Sequence, residues 1–176
     1  MKMKTTILYK FYFLLGLLFI LGSCTDDLDV VPKDDDIFLS EDFFSNTKAY
    51  KQALAGVYGN LSLTGTNGAG SSNIAGIDAG TSQYARTLWY LQDLAADEPI
   101  WSYENDEGGA VKAIQRNTWG SSNTILLGFF SRAVFSVTLA NEFLRQTAPE
   151  KLAERGHEAM STEVKAFRAE ARLLRA

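Results

Sequence analysis

Apolar side chains recur at steps of three and four over four stretches of this chain, which predicts a helical protein. From about Asn46 to Leu61 the residues Ala49, Tyr50, Ala53, Leu54, Val57, Tyr58 and Leu61 share one face. Ser45 or Asn46 offers a cap at its start, and Gly65 lies just past its end. Ser82 to about Leu94 places Tyr84, Leu88 and Leu91 on one side. Pro99 and the acidic, glycine-containing stretch 97–109 stop it. The longest pattern runs from Thr124 to about Gln146. There Leu126, Phe130, Ala133, Val134, Val137, Ala140, Phe143 and Leu144 form a broad stripe expected to be deeply buried. Pro149 suits a first helical turn and Gly156 a helix end. A last helix starts near Ser161 or Thr162, with Glu163 favourable at the positive end of its dipole and Val164, Phe167, Ala171 and Leu174 facing inward. The segment from Thr64 to Gly80, rich in Gly, Ser, Asn and Thr, is long for a connection and is expected to be mobile or functional. It lacks the Gly-Lys-Ser/Thr ending of a phosphate-binding loop, which excludes that mode of nucleotide binding.

The N-terminus follows a different rule. Lys2 and Lys4 precede an apolar run from Phe11 to Ile20, and Leu21-Gly22-Ser23-Cys24 follows. A span would need about 20 apolar residues, so this run reads as the core of a cleavable export signal. Cys24, the single cysteine, stands where an exported bacterial lipoprotein is acylated, and each buried methylene of such a lipid adds about 0.8 kcal/mol of membrane affinity. The alternative is a membrane-spanning anchor with an incidental cysteine. Residues 25–36, Thr-Asp-Asp-Leu-Asp-Val-Val-Pro-Lys-Asp-Asp-Asp, have little to bury and read as a solvated tether. An acidic stretch directly after the acylated cysteine also resembles the surface-export signal of Bacteroidetes lipoproteins. No loop spacing supports a calcium site there.

Charge narrows the partners. Removing residues 1–23 takes away Lys2, Lys4 and Lys10 and no acid, leaving 14 basic against 21 acidic side chains and a formal charge of about −7. Nucleic acid is excluded as a partner, because phosphate contacts need clustered Lys and Arg. No cysteine remains for a disulfide, so stability outside the cell must come from packing. The helical pattern still runs at Leu174-Arg175-Ala176, with no glycine, proline or polar tail to end it. The chain is therefore expected to be the N-terminal portion of a larger protein. Residues 25–176 alone are expected to be of low stability, since their last two helices would leave apolar stripes uncovered.

Several pieces occur in a telling order. Behind the lipoprotein start come Phe43-Phe44, Ala53-Leu54-Ala55-Gly56-Val57-Tyr58, Leu94-Ala95-Ala96-Asp97-Glu98, Ala140-Asn141-Glu142-Phe143-Leu144 and the run from Glu163 to Ala176. Together they resemble the N-terminal part of the SusD/RagB family of outer-membrane nutrient-binding lipoproteins. The resemblance covers essentially this whole chain but only about the first third of a family member. It implies an all-α fold of tetratricopeptide-like helix pairs with long glycan-binding loops. It also implies a lipid-anchored place on the outer membrane, a SusC-like TonB-dependent transporter as partner, oligosaccharide or polysaccharide as ligand, and no covalent chemistry or cofactor. The helix-pair repeat itself is not visible as a 34-residue self-similarity. On this reading residues 1–23 are the signal peptide, 24–40 the lipidated cysteine and tether, and 41–176 an incomplete helical region.

A glycan site can be argued from physical chemistry as well. Sugars present apolar C–H faces that lie on aromatic rings and hydroxyl rims that need donors and acceptors. Trp101-Ser102-Tyr103-Glu104-Asn105-Asp106 places two aromatics two positions apart beside polar side chains in an expected loop. In the starch-binding member of the family, the corresponding region supplies a stacking aromatic, a polar sugar contact and an upstream arginine. An ungapped match carries those onto Tyr103, Asp106 and Arg86 here. Tyr103 replaces a tryptophan and Asp106 an asparagine, which puts starch in doubt and leaves glycan binding standing. The candidate site is therefore Arg86, Trp101, Tyr103, Asn105 and Asp106. The competing roles are closure of the core by Trp101 and Tyr103, and an ion pair of Arg86 with Asp93 or Asp97. Trp89 and Trp119 are expected in the core.

Two rival functions differ in kind. A glycoside hydrolase would need a carboxyl pair about 5–10 Å apart, drawn from Asp97, Glu98, Glu104 or Asp106. No general acid or nucleophile stands out among these clustered acids, and the single histidine, His157, has no Ser or Cys partner pattern. The other rival is a tetratricopeptide-like adaptor that grips only proteins; a truncated remnant without function is the remaining alternative.

Overall fold

The computed structural model describes residues 39–176 apart from 69, 97 and 104–106. The leader, Cys24 and nearly all of the acidic tether lie outside the described residues. A short helix α1 (Ser40–Phe43) precedes α2 (Lys48–Gly59). After the 60–83 segment, α3 (Tyr84–Trp89) runs directly into a π-helical turn, Tyr90–Leu94. Then come α4 (Ala110–Gln115), α5 (Thr124–Gln146), α6 (Pro149–Glu154) and α7 (Ser161–Arg175). Among the described residues there is no strand, in line with the all-α expectation.

The long helix α5 is the shared wall of two apolar clusters. Its C-terminal half contributes Ala140 and Phe143 to a cluster with Leu54 and Val57 of α2 and Ala171 of α7. A neighbouring cluster continues this toward α6 through Phe44, Ala49, Tyr50, Leu152 and Val164. At the other end, Ile125 packs with Tyr90 and Leu94 of the π-turn and Val111 and Ile114 of α4. Tyr84 stacks on Phe129 at 5.4 Å, which ties α3 to the same helix.

Both ends of α5 have their unpaired backbone groups satisfied, as buried helix ends require. At the start, the Asn123 carboxamide accepts from the N–H groups of Ile125 (3.0 Å) and Leu126 (3.2 Å), and its Nδ2 donates to the Ala110 carbonyl at 2.9 Å. One side chain thus caps α5 and holds the start of α4. At the far end, Arg155 Nη1 donates to the Gln146 carbonyl at 2.7 Å and Arg168 donates to the Leu144 carbonyl. Arg155 also forms a two-point ion pair with Glu41 (2.8 and 2.9 Å), which holds that carboxyl below its ordinary pKa. Asn123→Ala is expected to lower stability by about 1 kcal/mol, and up to about 2, read as the urea midpoint. An unchanged midpoint would show that water replaces the cap without loss.

Several sequence expectations were met at residue level. Pro149 opens α6, and Gly156 ends it at φ 68°, a conformation that favours glycine. Val164 and Ala171 are buried, with Phe167 and Leu174 beside them. Helix α2 buries Ala49, Tyr50, Leu54 and Val57 as expected, while Tyr58 turns outward to donate to Glu170 at 2.9 Å.

Others need correction. The α5 stripe does not face inward as a whole: Phe130 is 66% exposed, and Leu127, Val134 and Val137 are exposed with it. The inward side carries Ile125, Gly128, Arg132, Ser136, Ala140 and Phe143. In α3 and the π-turn the buried residues are Thr87, Tyr90 and Leu94 rather than Tyr84, Leu88 and Leu91. Thr87 can go inside because its hydroxyl bonds back to the carbonyls of Gln83 and Tyr84. Trp89 and Trp119 are 43% and 50% exposed, so neither is a core residue. Helix α4 was not foreseen; it begins after left-handed Gly108 and Gly109, directly behind the stretch that reads as a breaker.

Candidate functional site

A cavity of about 200 Å³ opens where the 78–82 segment, the π-turn, the 99–103 run and the start of α4 meet. Its floor is Val111 and Ile125 and one wall is Tyr90 with Trp101. Thr81, Arg86, Tyr103 and Glu107 supply the rim. Local sequence explains each placement. Gln83 caps α3 by accepting from the Arg86 N–H at 2.6 Å, and its Nε2 donates to the Leu61 carbonyl at 3.1 Å. This anchors the first turn of α3, and Arg86 then donates to the Gly80 carbonyl beside the cavity. Asp78 accepts from the N–H (2.8 Å) and hydroxyl (3.0 Å) of Thr81, which folds the rim residue back onto its own turn. Those bonds hold the Asp78 carboxyl below its ordinary pKa. Gln115 donates to the Pro99 carbonyl at 3.0 Å and so fixes the run that carries Trp101 and Tyr103.

The aromatic rings form a continuous series. Trp89 meets Tyr90 at 5.6 Å, Tyr90 meets Trp101 edge-on at 5.6 Å, and Trp101 meets Tyr103 edge-on at 6.3 Å. An edge-on contact takes up one face of only one ring of the pair. Tyr103 is 59% exposed, so much of its ring reaches the surface at the rim. Trp101 packs on the buried Tyr90 cluster, as the core-closing role requires, and also lines the cavity. Its indole Nε1 is buried without a hydrogen-bond partner among the described residues. Glu107 sits at φ 52°, uncommon for a non-glycine residue, and with Gly108 and Gly109 makes three successive left-handed residues at the rim.

The structure therefore brings Arg86, Trp101 and Tyr103 together at one cavity. Asn105 and Asp106, with Glu104, lie outside the described residues, as does Cys24. Arg86 forms no ion pair with Asp93 or with any other described carboxylate, and Asp97, the other partner considered, lies outside the described residues. Thr81, Tyr90 and Glu107 were not foreseen as cavity residues. Thr81 sits in a segment with no periodicity, Tyr90 reads as one more helix aromatic, and Glu107 as one more acid in an acidic stretch. His157 is held by Tyr50, whose hydroxyl lies 2.9 Å from Nδ1. A second hollow of about 360 Å³ lies between α2 and α7, with Met160 and Phe167 below and Lys48, Lys51 and Glu163 around it.

The described residues thus form an all-α scaffold with a small open cavity that has an aromatic wall and a polar rim. The chain is related to the starch-binding protein SusD of Bacteroides thetaiotaomicron, with 29% identity over 126 residues. That match takes in 71% of this chain and 21% of SusD, so the chain spans about one fifth of the length of this relative. No family model matches the chain, and no solved structure matches it.

Proposed function

We propose that this chain is the N-terminal part of a cell-surface lipoprotein that binds glycan and passes it to a SusC-like TonB-dependent transporter, without catalysis. Cys24 carries the lipid and residues 25–40 the tether that holds the body off the outer membrane. Arg86, Trp101, Tyr103, Asn105 and Asp106 bind the sugar. The single observation behind this reading is the convergence of Arg86, Trp101 and Tyr103 on one cavity, Trp101 and Tyr103 being picked out by their chemistry and Arg86 by the family resemblance. The relationship to SusD supports the same reading. The cavity is smaller than the about 300–1,000 Å³ of an ordinary small-molecule site, which suits one ring of a longer chain whose remainder runs over Tyr103.

Trp101→Ala combined with Tyr103→Ala is expected to abolish retardation in native gels that contain the bound polysaccharide. Stacking on an aromatic is expected to contribute about 0.5–1.5 kcal/mol per ring beyond area burial, so the pair together accounts for a tenfold loss or more. Retardation that survives the double substitution would place the sugar elsewhere. Sugar products released by the purified wild-type protein would overturn the non-catalytic role. A second reading, an adaptor for protein partners, draws on the exposed Leu127, Phe130, Val134 and Val137 at steps of three and four along α5. It gains if the wild-type protein is retarded by no polysaccharide.

A further inference from the structure

The 64–82 segment has no regular structure, yet one side chain holds it at three points. Arg132 of α5 has no exposed surface. Its Nη1 donates to the Thr64 carbonyl at 2.9 Å, its Nη2 to the Ser72 hydroxyl at 2.9 Å, and its Nε to the Ser82 hydroxyl at 3.1 Å. All three acceptors are neutral. Burying a guanidinium without an anion is costly, and burial pushes its pKa down. An apolar side chain would occupy the same space more cheaply. What the guanidinium adds is a rigid planar fork that reaches several acceptors at once, here at the start, the middle and the end of one segment.

The end of that segment is a wall of the cavity. Ser82, held by Arg132, donates in turn to the Asp78 carbonyl. The Asp78 carboxylate fixes Thr81, and the Gly80 carbonyl accepts from Arg86. Thr81 and Arg86 both line the cavity, whereas Arg132 does not. One turn before Arg132, Gly128 lets the Ser82 backbone lie against α5 where no Cβ would fit. We propose that Arg132 is a positioning residue for the glycan site, setting the place of Thr81 and Arg86 through Ser82 and the 78–82 turn without touching ligand. The proposal rests on the glycan-binding reading above.

The test compares the full wild-type chain with Arg132→Lys and Arg155→Lys in native gels containing amylopectin, galactomannan, xylan or pectin. Lysine keeps the charge but cannot span the three acceptors. Arg155 serves the opposite end of α5, so its variant reports stability loss alone. Arg155→Lys is expected to be retarded like the wild type, and Arg132→Lys to lose at least tenfold in affinity for whichever polysaccharide retards the wild type. Amide exchange is expected to quicken at 78–82 in Arg132→Lys while α7 stays protected. Equal affinity of Arg132→Lys and wild type would overturn the positioning role and leave the glycan reading intact. A wild type retarded by none of the four would overturn both. If Arg132→Lys does not fold, Ser82→Ala takes its place, because it releases only the pocket end of the segment; the same outcomes then decide.

Discussion

Truncating Phe143 to alanine is expected to cost about 3–5 kcal/mol, the range for deleting a well-buried phenyl ring. Phe143 is 3% exposed and sits where α2, α5 and α7 meet, against Leu54, Val57, Ala140 and Ala171. Two of these neighbours are alanines and cannot extend into the space a phenyl ring leaves, so the cavity would persist. The loss is a large share of the about 5–15 kcal/mol that holds an ordinary domain together. With a urea slope of about 1–3 kcal/mol/M, the midpoint falls by at least about 1 M. Phe130→Ala on the same helix is the control. That ring is exposed, and its loss is expected to change stability by less than about 0.5 kcal/mol. Equal losses from the two substitutions would mean that α5 presents a different face to its neighbours.

Gly128→Ala separates two opposing effects. Helix propensity alone favours alanine by about 1 kcal/mol. A Cβ on Gly128, however, would lie 2.9 Å from the Ser82 Cβ and 3.2 Å from its Cα. Ser82 is not free to withdraw, since Arg132 and Asp78 both hold its hydroxyl. The expected outcome is a net loss of about 1–3 kcal/mol, as for overpacking in a core, together with weaker polysaccharide retardation as the 78–82 wall shifts. Gly56→Ala in α2 shows the propensity effect by itself, because nothing lies within 4 Å of the Cβ it would add. A stability gain for Gly128→Ala equal to that for Gly56→Ala would show that the Ser82 contact yields without cost.

The contrast between α7 and α5 shows where residue patterns suffice. In α7 the apolar positions are few and lie among charged ones, so only one orientation buries them, and Val164 and Ala171 are where the pattern put them. In α5 apolar residues surround most of the circumference, and a moment drawn through them has little meaning. The side that faces inward includes Gly128, Arg132 and Ser136, which hydrophobicity would send to solvent. Arg132 is inside because the 64–82 segment presents a carbonyl and two hydroxyls for it to bond, Ser136 because Asn60 Nδ2 donates to its hydroxyl, and Gly128 because Ser82 packs against it. That match depends on a segment some 50 to 70 residues away in the chain, which no local window contains.

The cavity divides in the same way. Trp101 and Tyr103 could be named from residue types and spacing, because stacking faces are a chemical requirement that residue types reveal, whereas Arg86 could be named only through the family resemblance. Thr81, Tyr90 and Glu107 join them only through the π-turn, the left-handed rim residues and the Asp78–Ser82 turn. The longer helices, the Pro149 start and the Gly156 end of α6 thus followed from local order, since each depends on neighbours within a turn or two, whereas α4 and the caps Asn123 and Gln83 did not. The inward face of α5, the exposure of Trp89 and Trp119, and the assembly of the cavity wall came from packing. They depend on which distant groups satisfy a buried polar atom or fill a given volume.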